Sequence, residues 1–340
     1  MAHTIKGMTL AELKEFLMLH NYPKYRADQI YTWMYKRGVF EFNSMHNLSR
    51  DLVAFLNNNC ILKTLDLSKT IESHQTIKFL FKTKMNMFIE SVSMIDNNRH
   101  TLCLSSQVGC NLDCDFCATG KMGFKQNLSA GEIIDQLLCI KNFIKTPVTN
   151  IVFMGMGEPF LNYKNVIRAA DIMHNKSAFN LGAQRITIST AGVLPKINRF
   201  IKEKVKYNLA ISLNASNDIT RNQLMPINKK WPIDSLIDVA QKYNNTNKTK
   251  ITFEYVLIDS VNDSIQDAEN LAKLLRNTNS KLNIIPFNEI GNEYKRPSSE
   301  DIENFVNKLY SIREGFTILV RWSKGLDINA GCGQLATSNI

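Results

Sequence analysis

From about residue 101 onward the chain alternates between two textures, and that alternation leaves few folds open. Strand-like runs occur at Thr101–Ser105, Asn150–Met154, Arg185–Ser189, Asn208–Leu213, Lys250–Leu257 and Leu282–Pro286, with a last one near Thr317–Arg321. Amphipathic stretches of helical spacing lie between them, such as Ser129–Phe143, Tyr163–His174 and Ile265–Arg276. Repeated β–α units predict an α/β fold with a parallel sheet. In such sheets ligands bind at the C-terminal strand ends, so the residues just after each strand carry the most functional weight.

The loop after the first of these strands reads Cys110-Asn-Leu-Asp-Cys114-Asp-Phe-Cys117. Thiolates are soft ligands, so C-x3-C-x2-C favours iron–sulfur or zinc over hard cations. A closed zinc site or an ordinary cubane wants four protein ligands; three leave one position for a substrate. His100 lies upstream and the next cysteine is Cys139. Two plainer readings stand beside this one: incidental cysteines packed as small hydrophobes, and a zinc knuckle with a distant fourth ligand. A turn rich in Asp, Asn and Gly makes a poor core, which weighs against the first. With Phe116 before the last cysteine, the motif resembles the signature of the radical S-adenosylmethionine enzymes. The resemblance implies a partial (β/α)6 barrel. It also implies a 4Fe–4S cluster on Cys110, Cys114 and Cys117, and S-adenosylmethionine chelated to the open iron and cleaved to a 5′-deoxyadenosyl radical.

Gly155-Met-Gly157-Glu158-Pro159 follows the second strand. Glycines let backbone approach a ligand, and a carboxylate can accept from an ammonium. Alone this reads as a tight turn with a surface Glu. One β–α unit after the cysteine loop, it resembles the segment that binds the cofactor amino group, with Gly157 and Glu158 as its contacts. Ser189, the run Ser212-Leu213-Asn214 and Asn288 lie at later strand ends and are the remaining expected cofactor contacts.

Cys103 lies in the first strand, and Cys332 lies in Asp-Ile-Asn-Ala-Gly-Cys332-Gly-Gln-Leu near the C-terminal end. Cys60 and Cys139 read as ordinary buried cysteines. Together with Met154-Gly-Met-Gly-Glu-Pro159 and Met225-Pro-Ile-Asn228, the pair makes nearly the whole chain resemble the adenine-methylating RlmN/Cfr family. The resemblance implies that Cys332 carries the methyl group as S-methylcysteine and that Cys103 resolves the protein–RNA adduct through a transient disulfide. Glu90, at the family's base position, would be the proton acceptor; on its own it reads as a surface carboxylate. Two molecules of S-adenosylmethionine are then used per turnover. Pro159 and Ile-Pro286-Phe-Asn288 are similar to the enzymes acting on carbon 2, whereas the Cfr group acts on carbon 8. Asn214 departs from the usual His, and Gly331 from the usual Ala, where it is expected to add mobility.

Before the barrel, residues 1–62 read as a helical accessory domain, residues 63–98 as a β-meander extension, and residues 99–340 as the core with its reactive tail. Thr9 caps a helix carrying Leu10, Leu13, Phe16 and Leu17; a second runs from about Arg26 to Lys36, and a third starts near Ser49. Tyr31, Trp33 and Tyr35 read as packing residues rather than base-stacking ones. Lys and Arg exceed Asp and Glu by 10, which suits a polyanionic partner. The family resemblance implies 23S rRNA, tRNA as a second substrate, and a flavodoxin- or ferredoxin-type electron donor. No apolar run reaches the ~20 residues of a membrane span, and no secretory signal is visible. Seven cysteines, an odd number, suit a reducing compartment, so a cytoplasmic location is expected. Two alternatives stand beside this reading: a Cfr-like enzyme that methylates carbon 8 of an adenine in 23S rRNA and, less favoured, a non-enzymatic basic RNA-binding protein with a structural metal loop.

Overall fold

The computed structural model describes residues 2–337. The helical region is fastened at its ends, where β1 (His3–Thr4) pairs in parallel with β2 (Cys60–Ile61). Between them run α1 (Leu10–Leu19), α2 (Tyr25–Tyr31) and α3 (Arg50–Asn59), with one π turn at Thr32–Lys36. Thr9 and Glu12 close a capping box at the start of α1, and Ser49 caps α3. Tyr31 and Tyr35 are buried against each other edge to face, in the packing role expected of them.

The main sheet has ten strands. The first four, β3 (Leu65–Ser73), β4 (Thr76–Thr83), β5 (Phe88–Asp96) and β6 (Arg99–Cys103), are antiparallel. A small ladder, β7 (Gln107–Val108) with β8 (Gln126–Asn127), follows outside the sheet. From β6 onward the pairing is parallel, through β9 (Asn150–Phe153), β10 (Ile186–Thr190), β11 (Asn208–Ser212), β12 (Ile251–Leu257), β13 (Ser280–Pro286) and β14 (Phe316–Val320). After the one-turn α4 (Ala118–Lys121), the crossovers are α5 (Ala130–Phe143), α6 (Tyr163–His174), α7 (Leu194–Lys202), α8 (Asp218–Leu224) with α9 (Ile233–Asn247), α10 (Ile265–Leu275) and α11 (Ser299–Ile312). Each strand neighbours the next in sequence, which gives the expected open (β/α)6 partial barrel. The β-meander is part of the same sheet, because β5 hydrogen-bonds directly to β6.

The helical region and the barrel share one apolar core, which runs from Ile5 to Leu335. Their contact is close and partly ionic. A Cβ on Gly7 would lie 2.5 Å from the Gly131 nitrogen, so α5 meets the N-terminal segment backbone to backbone. Beside it, buried Lys6 pairs with buried Asp135 at 3.4 Å, and Asp135 also accepts from the Thr64 N–H (2.6 Å) and hydroxyl (2.7 Å). Beyond β14 the chain crosses to the antiparallel strands, where Lys324 pairs with Asp96 at 3.1 Å and donates to the Ile95 carbonyl.

Candidate active site

The cysteine loop is closed at its base by the β7–β8 ladder. Gly109 has φ +69, and a Cβ there would lie 1.8 Å from the Gly123 carbonyl oxygen; only glycine lets the two arms of the loop meet. The Cys117 N–H donates to the Cys114 carbonyl (3.1 Å) and the Gly120 N–H to the Cys117 carbonyl (3.0 Å), winding the loop into α4. The Asp115 N–H donates to the Leu224 carbonyl (2.9 Å), and its carboxylate accepts from the Tyr294 hydroxyl (2.9 Å) and Lys121 (2.6 Å). Phe116 packs with Ala191, Leu224 and Met225 beneath the loop.

Cys110, Cys114 and Cys117 all line one cavity at the C-terminal ends of the parallel strands. Burial pushes the Cys110 thiol up to about 12, raises Cys114 well above its ordinary value and raises Cys117. Neutral thiols held this way become thiolates only when a cation takes the proton's place. Three soft thiols brought to one cavity are a donor set that suits an iron–sulfur cluster.

The opposite wall comes from the later strand ends. Gly157 has φ +93, and a Cβ there would lie 2.4 Å from the Gln107 Cβ. The Gln107 amide oxygen in turn accepts the Glu158 N–H at 2.8 Å, tying this wall to the cysteine loop. Glu158 is buried at the cavity, where its two carboxylate oxygens accept from the Phe160 N–H (2.9 Å) and the Ala191 N–H (2.8 Å). Burial pushes its carboxyl up to about 7 against the pull of these hydrogen bonds. An arriving ammonium would favour the ionised form. Ser189, Ser212 and Asn214 also line the cavity. Asn214 has φ +57, a conformation Asn tolerates better than most residues. Its amide is occupied, accepting from the Val256 N–H (2.9 Å) and donating to the Met225 sulfur (3.3 Å).

Two expected contacts sit elsewhere. Leu213 turns into the main core, its N–H donating to the Glu254 carbonyl and its own carbonyl accepting from Arg221. Asn288 is buried behind the tail and donates to the Cys332 carbonyl at 2.9 Å, while its own amide oxygen has no partner among the described residues.

The tail brings Cys332 to the same cavity. Gly331 is buried: a Cβ there would lie 2.8 Å from both the Asn288 amide nitrogen and the Gln334 amide oxygen. Gln334 accepts from the Gly331 N–H (3.0 Å) and donates to the Glu289 carbonyl (2.9 Å), and the Ala118 N–H donates to the Gly333 carbonyl (2.8 Å). Cys103 lies at the end of β6, where burial pushes its thiol up to about 12; neighbouring Cys332 adds to this and Arg321 opposes it. Both thiols are free, so the pair is not disulfide-linked in this structure. Cys60 and Cys139 are buried and free, Cys139 on a helix. Glu90 is buried, not a surface carboxylate. It pairs with Lys78 at 3.2 Å and accepts the Ala336 N–H at 3.0 Å, four residues beyond Cys332. Burial raises its carboxyl above the ordinary range, with Lys78 opposing.

One supporting residue was not visible in the sequence. Arg221 is fully buried, and its guanidinium donates to the carbonyls of Leu213 (2.8 Å), Ala191 (2.8 Å) and Ser212 (2.9 Å) and to the Asn228 side chain (2.9 Å). It staples the ends of β10 and β11. The Met-Pro-Ile-Asn228 run supplies one of its acceptors, which is the signal that could have found it.

Residues 104–275 match the family model described as the radical SAM superfamily, and residues 4–62 match the ribosomal RNA large subunit methyltransferase N-terminal domain. The chain is 42% identical over 333 residues to the dual-specificity RNA methyltransferase RlmN of Geobacter sulfurreducens, covering 97% of this chain and 91% of that one. It is 41% identical to the probable dual-specificity RNA methyltransferase RlmN of Pseudothermotoga lettingae, over 99% and 98% of the two chains. The crystal structure of a radical SAM methyltransferase from Sphaerobacter thermophilus superposes with a TM-score of 0.94 at 42% identity, covering 98% of this chain and 99% of that one.

Proposed function

The chain belongs to the RlmN family of radical S-adenosylmethionine enzymes, and from that premise we propose that it methylates carbon 2 of an adenine in 23S rRNA and, as a second substrate, in tRNA. The observation that carries this reading is the meeting of Cys332 with the three-cysteine loop at one cavity, with Cys103 close behind it. Radical SAM enzymes of this family use a 4Fe–4S cluster and S-adenosylmethionine, which supply the methyl group and the radical that activates it. Cys110, Cys114 and Cys117 would hold the cluster. Gly157, Glu158, Ser189, Ser212 and Asn214 would hold the cofactor, with Leu213 and Asn288 shaping the site from behind.

In this reading Cys332 receives the methyl as S-methylcysteine and presents it to the ring. Glu90 takes the ring proton; its pairing with Lys78 and contact with the tail suit a base that must stay close to Cys332. Cys103, as its thiolate, then attacks the Cys332 sulfur; the sulfur–carbon bond breaks with its electron pair passing to the transferred carbon, which takes up a proton to become the methyl group, and a transient disulfide remains until it is reduced. Residues 1–62 would dock the RNA, with 63–98 as the extension and 99–340 as the core. An external flavodoxin- or ferredoxin-type protein would supply electrons. No helix of the described residues is long and apolar enough to cross a membrane, in keeping with a cytoplasmic enzyme.

The test is an anaerobic reaction of cluster-loaded protein with S-adenosylmethionine, reductant and unmodified rRNA or tRNA, read by nucleoside mass spectrometry. The expected product is 2-methyladenosine, abolished in Cys332→Ala although that variant keeps its iron. 8-Methyladenosine would overturn the choice of carbon. No methylated adenine, with cofactor cleavage intact, would overturn the substrate. A protein that binds RNA but neither loads iron nor cleaves the cofactor would restore the non-enzymatic reading.

A further inference from the structure

Strand β12 reads Ile-Thr-Phe-Glu-Tyr-Val-Leu, and Glu254 is its one charged residue. A central strand of a parallel sheet is covered on both faces, so a carboxylate there must be partnered or used. Glu254 is 5% exposed, faces Ser212 across the β11–β12 pairing, and lines the cavity. Its Oε1 accepts from the Asn283 side-chain amide at 3.0 Å, whereas its Oε2 is buried with no hydrogen-bond partner among the described residues. Arg321 attracts the carboxylate without hydrogen-bonding its Oε2. Leaving such an oxygen unsatisfied is unfavourable, and a bound donor would relieve it.

We propose that Glu254 is a cofactor-binding residue whose free carboxylate oxygen accepts a hydrogen bond from the ribose hydroxyls of S-adenosylmethionine. The assignment rests on the reading of the cavity as the cofactor site and follows from the order of the strands. Glu158 follows β9 beside the cysteine loop and takes the amino-acid end. Ser189 ends β10, Ser212 ends β11, and Glu254 lies on β12, so the row leads away from the cysteine loop one strand at a time. A nucleoside laid along that row from its amino-acid end offers its ribose diol before its base. Acidic residues in other parallel-sheet nucleotide sites hold ribose hydroxyls in this way.

The experiment measures calorimetric affinities of cluster-loaded wild type, Glu254→Gln and Glu254→Asp for S-adenosylmethionine and its 2′-deoxy and 3′-deoxy analogues. Glu254→Gln should bind the cofactor roughly tenfold to hundredfold more weakly. Removing the recognised hydroxyl should weaken wild type by a similar factor but cost Glu254→Gln no more than about twofold, since neither loss can be counted twice. Equal penalties in both proteins, or wild-type affinity in Glu254→Gln, would overturn the proposal. Coupling to an analogue lacking the adenine amine instead would overturn the ribose assignment. Should neither variant load its cluster, the wild-type series decides alone: equal affinity for all three ligands sinks the idea. The spectrum of the reduced cluster is the separate control. If the cofactor leaves the wild-type signal unchanged, the underlying site reading has failed; if the signal shifts without coupling, only Glu254 has been misassigned.

Discussion

The cysteine loop and the C-terminal tail both bring thiols to the cavity, but they are held by different means. The loop is held largely by its own backbone: a ladder at its base, two arms in contact at Gly109 and Gly123, and successive N–H to carbonyl bonds through Cys114, Cys117 and Gly120. The tail is held mainly by side chains reaching across from distant segments, among them Asn288, Glu90 and Lys78, with Gln334 as its own hook. Side-chain tethers can be removed one at a time, which would suit the role proposed for Cys332, whose sulfur changes partners while the loop stays in place.

The sharpest way to break this comparison is Gly109→Ala. The new methyl would meet backbone and the φ would be strained, so we expect a loss of about 3 kcal/mol or more and failure to retain iron. Urea unfolding and iron content check it; a stable, fully loaded variant would show the loop to be as adaptable as the tail.

Glu158 comes next, because its wall is tied to the loop through Gln107. Its folded value of about 7 lies above the ordinary 4.5, so the folded state holds the extra proton between those pH values. Stability of the cluster-free protein should therefore fall as pH rises through that window, by about 3 kcal/mol for this group. Unfolding at pH 5 and pH 8 should show the gap between wild type and Glu158→Gln moving in favour of the variant at pH 8. A gap that does not move would mean that Glu158 is already ionised at pH 5.

Gln334→Ala removes two hydrogen bonds from the tail and should cost about 1–2 kcal/mol. Hydrogen exchange should quicken at residues 329–336 and stay unchanged at 107–127; quickening in both would merge the two regions into one cooperative unit. The smallest effect is expected from Gly331→Ala. There the added methyl meets the ends of two side chains rather than backbone, so a shift of under about 1 kcal/mol should appear in a thermal melt. A loss as large as that of Gly109→Ala would contradict the view of the tail as adjustable.

Much of this was legible before the structure. The order of strands and helices followed from periodicity, because central parallel strands must be apolar and crossover helices amphipathic. The three cysteines followed from spacing and the cavity-lining serines from strand position, whereas Glu158 was read through the family resemblance. Partnerships between distant residues did not. Nothing in the sequence around Glu90 points to Lys78 or Ala336, and nothing at Asn288 points to the tail carbonyl it holds. Leu213 was grouped with its polar neighbours, although an apolar residue between Ser212 and Asn214 can turn inward and leave the cavity to them. Glu254 was missed for a different reason. A lone carboxylate in an otherwise apolar central strand is a visible anomaly, but its meaning depends on which oxygen lacks a partner.

The contact of Gly7 with Gly131, beside the buried Lys6–Asp135 pair, has a bearing on substrate choice. Backbones that touch leave no room for a hinge, so the helical region stands at a set distance from the mouth of the barrel. In the proposed reading, where residues 1–62 dock the RNA, the two together would work as a gauge. A polymer gripped at both places must offer its two points of contact at the matching spacing, and a flexible strand would have to be folded to that length before its base could reach the cavity.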